Sequence, residues 1–92
     1  MEIKLSKKEK IKISYTKDLY EIMRKILLRE GRFARSREHF WVVGLDKKYM
    51  LLFIELVALG SNNKFIVNPN EVFQLAIHKN STFVILVHNG YV

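Results

Sequence analysis

Two strand-like runs separated by four polar residues constrain this chain more than anything else in it. "HFWVVGL" at 39–45 is rich in β-branched and aromatic residues. "DKKY" at 46–49 reads as a turn, and "MLLFIELVALG" at 50–60 is a second apolar run. Runs of that composition around so short a polar break predict a β-hairpin. The second run carries one charge, Glu55. Alternation puts Glu55 on one face with Leu51, Phe53, Val57 and Leu59. An unpartnered carboxylate there would be costly, so Glu55 is expected to be paired, protonated, near water or functional. A strand tip or bulge that exposes it is the plain alternative.

Helices flank the hairpin. Thr16 offers an N-cap, and Leu19, Ile22, Met23, Ile26 and Leu27 follow at helical spacing as one apolar stripe. Glu21 and Lys25 add an i,i+4 pair, and Gly31 is expected to end the helix. After the hairpin, "SNNK" at 61–64 is polar loop and "FIV" at 65–67 a brief extended piece. Asn68, Pro69 and Glu71 then spell a helix start, with Val72, Phe73, Ala76 and Ile77 as its apolar face. "TFVILVH" at 82–88 is apolar on both faces, which predicts a central strand in parallel pairing after the helix crossover. The expected class is α/β (α+β mixed) in one small domain, with residues 1–15 a basic tail, frayed at 1–10, containing a short edge strand at 11–15. Residues 16–92 form the domain proper.

Charge is unevenly placed. The formal net charge is +7, and residues 1–37 carry all of the excess, with twelve Lys/Arg against five Asp/Glu. Such a block is either a solvated face or a contact for nucleic acid or an acidic protein. In "GRFARSR" at 31–37, Arg32, Arg35 and Arg37 beside Phe33 are the nucleic-acid-binding candidates, weighed against a plain solvated connection. There is no cysteine, which excludes disulfides and Cys-type zinc sites. The start has no signal-peptide core, and the run from Met50 to Leu59 is too short to span a bilayer. A cytoplasmic protein is expected.

Three histidines remain. His88 ends the last apolar run, where it is either a structural hydrogen-bonder or a ligand. His39 opens a strand beside Phe40 and Trp41, and His78 ends a helix, where a cationic ring suits the dipole. Neither has metal-ligand spacing to another histidine.

The order "EHFWVVGLDKK", "IELVALGSNNKFIVNPNEVF", "AIHKNSTFVILVHN", preceded by "TKDLYEIMRKILLREGRFARSREHFW", resembles the RadC-like branch of the JAB/MPN (JAMM) metalloprotease-type domains over residues 16–89. The resemblance implies a cytidine-deaminase-like fold, a link by name to DNA repair, and zinc-dependent peptidase or isopeptidase chemistry. It assigns the family's catalytic glutamate to Glu55 and its first metal histidine to His88. The second metal histidine falls on Gly90, and the metal-binding aspartate would lie beyond Val92. A family zinc centre uses three protein ligands and an open position for water. The expectation is therefore a C-terminally truncated domain, without a zinc cofactor and catalytically inactive. An exposed, uncovered sheet predicts self-association.

Overall fold

The computed structural model describes residues 1–60 and 68–89, with the side chains of 58–60 left out; the expected "SNNK" loop, the "FIV" piece and Gly90 lie outside these. The elements in chain order are α1 (Thr16–Leu28), α2 (Arg32–Ser36), β1 (Glu38–Leu45), β2 (Leu51–Gly60), α3 (Pro69–His78) and β3 (Phe83–His88). The predicted mixed α/β class holds.

The hairpin forms as expected, with β1 and β2 antiparallel. The strand order, however, is β2-β1-β3, and β3 pairs antiparallel with β1. The expected central, parallel β3 is thus corrected. The α3 crossover carries the chain over β1 to its far side. There β3 runs in the same direction as β2 but is separated from it by β1. The strand buried on both faces is β1: Trp41, Val42, Val43 and Leu45 are all buried. The apolar residues of β3 instead line an edge, where Val84 and Leu86 stay exposed.

Alternation along β1 divides the core. Trp41, Val43 and Leu45 face α1 and meet Leu19, Ile22, Met23 and Ile26. Val42 faces the other way and packs with Phe53 and Val72, so α3 covers that side. Burying each such side chain contributes about 1.5–3 kcal/mol. A bulge at Gly44/Leu45 shifts the register, so Leu51 joins the α1 side while Phe53 stays on the α3 side. Leu51 and Phe53, expected on one face, are therefore on two. On α3 the buried residue is Val72, with Leu75 partly buried, whereas Phe73 and Ile77 are exposed. The helix sits rotated from its expected face because Val42 and Phe53 are what it meets on the sheet.

Helix ends differ from expectation in two places. The α1 N-cap is Tyr15, not Thr16, because the Asp18 carboxylate accepts from the Tyr15 and Ser14 backbone N–H groups at 2.9 and 3.0 Å. Gly31 does not close α1, which ends at Leu28 with Arg29 as its C-cap; at φ −65° Gly31 is the N-cap of α2, so "GRFARSR" holds a short helix with its two caps and is not a loop. The start of α3 follows the sequence reading, with Asn68 accepting from Asn70 N–H at 2.9 Å and Pro69 in the first turn.

The first fifteen residues are not a frayed tail. Ile3 N–H donates to Ile54 O at 2.8 Å, Leu56 N–H to Met1 O at 2.9 Å, and Ile13 N–H to Tyr49 O at 2.9 Å. The segment lies along the outer edge of β2, and its Ile3, Leu5 and Ile13 pack on the α1-side core. That satisfies backbone groups which an open edge would leave to pair with other chains. The short edge pairing expected at 11–15 reduces to a bridge between Lys12 and Met50.

Candidate functional site

Glu55 stands on β2 opposite Val42, and His88 ends β3 opposite Phe40. Val42 and Phe40 are two residues apart on β1, so register places both candidates on the α3 side of the sheet. Their strands are not neighbours, because β1 lies between them. Two interstrand spacings amount to about 10 Å.

Each candidate has its own surroundings. The Glu55 carboxylate is 2.6 Å from the Met1 α-ammonium, which also donates to Leu56 O at 2.9 Å. It is paired, one of the outcomes its sequence context allowed. Lys79, at the end of α3, donates to Glu2; that bond chiefly, with a smaller contribution from Glu55, raises the lysine above its usual pKa. The His88 ring lies 5.9 Å from that of Phe40, tilted by 36°.

The polar cluster with the most side-chain bonds to one residue lies beside this strand tip, around His39, and was not singled out from the sequence. His39 is fully buried. Its Nδ1 is 2.7 Å from the Arg37 carbonyl and its Nε2 is 2.5 Å from the Glu30 carboxylate. A carbonyl only accepts, so Nδ1 donates to it. Asn89 completes the cluster: its Oδ1 accepts from His39 N–H at 2.5 Å and its Nδ2 donates to Arg37 O at 3.2 Å. The ring stacks on Trp41 at 4.9 Å. Strand alternation carried the missed signal, because His39 shares a face with Trp41 and so points toward the end of α1.

Arg32 and Arg35 sit on α2, Arg37 caps it, and Phe33 between them is 87% exposed. Their end of the sheet is the one that carries His88. His78 closes α3 in its last turn, as expected.

The described residues do not fit a zinc centre of the family's type. Among the described residues no three His, Cys, Asp or Glu side chains group closely enough to hold a metal ion. Glu55 and His88 are a strand apart, His39 is committed to Glu30, and position 90 is glycine. Among the described residues no helix is long and apolar enough to cross a membrane.

Sheet order and helix placement define a mixed α/β domain whose central hairpin strand is covered on both faces. The family model described as a RadC-like JAB domain matches residues 13–90, and the chain belongs to that family. Among curated relatives, a UPF0758 protein of Caldanaerobacter subterraneus is 45% identical over 64 residues, covering 70% of this chain and 27% of that protein. One from Methanosarcina mazei is 42% identical over 80 residues, covering 87% of this chain and 33% of that protein. One from Syntrophomonas wolfei is 38% identical over 77 residues, covering 84% and 32%. The chain thus spans about a third or less of the relatives it matches.

Proposed function

We propose that this chain is a RadC-like JAB domain segment that holds the positions of the catalytic glutamate and the first metal histidine but performs no zinc-dependent peptide or isopeptide hydrolysis by itself. One observation carries the reading: Glu55 and His88 stand on strands separated by β1, and the residue two beyond His88 is Gly90. A metal needs convergent ligands, and these residues supply one imidazole. In this reading Glu55 keeps the family's acid/base position and His88 its ligand position, without the water-activating ion between them. The test is hydrolysis of peptide and isopeptide substrates with added zinc, for the parent and for Gly90→His. No turnover by either supports the proposal, and zinc-dependent turnover abolished by Glu55→Gln would defeat it.

A second reading is favoured by α2. Arg32, Arg35 and Arg37 flank the exposed Phe33, and the first turn of α2 contains no acid. Guanidinium groups beside an exposed ring suit a phosphate backbone and its bases. Substituting all three arginines with glutamine lowers DNA affinity and flattens its salt dependence in this reading. Self-association is a further part of the proposal, supported by the exposed Phe73, Ile77, Val84 and Leu86. Light scattering that finds a monomer at high concentration would remove it.

A further inference from the structure

We propose that the opposite end of the sheet, at the β1–β2 hairpin, is a binding surface for single-stranded nucleic acid, with the stacked Tyr49–Phe83 rings as its base platform. The hairpin turn supplies the first argument. Tyr49 N–H donates to Asp46 O at 3.0 Å and Asp46 N–H to Met50 O at 3.0 Å, so Lys47, Lys48 and Tyr49 form a three-residue loop. Its last residue, Tyr49, has φ +65°. Three-residue hairpin loops place a left-handed residue here, and glycine takes that conformation most easily. Asn80, the other described non-glycine residue with positive φ, belongs to a residue type that tolerates it; a tyrosine does not. The fold therefore accepts local strain to keep an aromatic ring at this position.

The ring is placed for stacking. Tyr49 and Phe83 lie 4.9 Å apart at 19°, and both stay exposed, at 47% and 40%. With Tyr15 they line a groove of about 390 Å³. Charge supplies the second argument. Lys47 and Lys48 are on the turn, Lys12 bridges to Met50 beside it, and Lys17 is in the first turn of α1 next to the groove residue Thr16. The two carboxylates on these segments are turned to the backbone. Asp46 accepts from the Lys48 and Met50 N–H groups, and Asp18 from those of Ser14 and Tyr15. Lysines around exposed rings match a polyanion that also offers flat faces. A single strand presents both phosphates and unstacked bases, a duplex hides its base faces, and a polyglutamate-like acidic peptide has no aromatic rings to stack.

The glycine preference of the turn makes the test selective. Tyr49→Gly removes the ring and relieves the backbone, so the variant folds at least as well as the parent. Fluorescence anisotropy with a labelled oligothymidylate reads affinity, and thermal melts read folding. The expected result is single-strand binding by the parent, weakened about tenfold by Tyr49→Gly without loss of Tm. Phe83→Leu acts in the same direction. Lys47→Gln with Lys48→Gln reduces the salt slope by about 1.4. The proposal is overturned if the parent does not bind, if Tyr49→Gly binds as the parent does, if a duplex binds equally well, or if polyglutamate displaces the oligonucleotide as effectively as unlabelled oligothymidylate.

Discussion

The two ends of β1 handle their polar and aromatic groups in opposite ways. At the His39 end, ring, carboxylate, carboxamide and carbonyl are bonded to one another beneath Trp41. At the Leu45 end, aromatic rings and lysines face outward around a strained turn. The first arrangement fixes the tip of β3, because Asn89 ties it to His39 and Arg37 directly after His88. The second leaves groups disposed toward solvent. A strand tip can therefore be held in place without offering a reactive group, and a turn far from the family's metal position can offer binding chemistry.

Substitutions at the two ends should separate cleanly. The largest effect is expected at the buried end. His39→Ala leaves the partly exposed Glu30 carboxylate without its ring partner and opens space under Trp41, so stability falls by about 2–4 kcal/mol. Urea denaturation checks this, and a loss under about 1 kcal/mol would mean that the cluster does not hold the tip. Gly44→Ala is next. A Cβ there would lie 2.0 Å from Phe53 Cε1, closer than any real contact, and Phe53 is buried between the sheet and α3. Overpacking of this kind costs about 1–3 kcal/mol. Tyr49→Gly, at the exposed end, should have the reverse sign, with a gain of up to about 1 kcal/mol from relieved backbone strain. A large loss there would show the Tyr49–Phe83 stack to be structural.

The smallest effect concerns acid. The Glu9 carboxyl is held below its usual value of 4.5, first by the Ser6 backbone N–H and then by Arg29. A lowered folded-state pKa means that the contribution is complete above pH 4.5 and is lost as pH falls through the lower folded value. Glu9→Gln should lower stability slightly near neutrality and flatten its decline below pH 4.5. An unchanged acid limb in that variant would show the Glu9 contacts to be without weight.

What the sequence revealed tracks how local the determining physics was. The hairpin, the α1 stripe and the Asn68–Pro69 helix start follow from spacing within a few residues. The place of β3 does not, because "TFVILVH" has the composition of a central strand and lies at an edge. Only the crossover, which passes over β1, decides its neighbour. The N-terminal segment read as a lysine-rich tail because its anchoring bonds are backbone to backbone, which side-chain composition does not report. His39 and Glu30 are nine residues apart in sequence and meet only once α2 turns the chain. The resemblance located Glu55 and His88 in the family order, but not the strand that separates them.

Whether these residues hold a metal decides between an incomplete site and a working one. Protein purified without a histidine tag should be analysed for zinc and then titrated with zinc in a calorimeter. The expected result is no stoichiometric zinc on purification and no tight binding on titration, with Gly90→His improving affinity only in part. About one tightly bound zinc per chain, lost on His88→Ala, would contradict it and show that the strand tip is a working metal site.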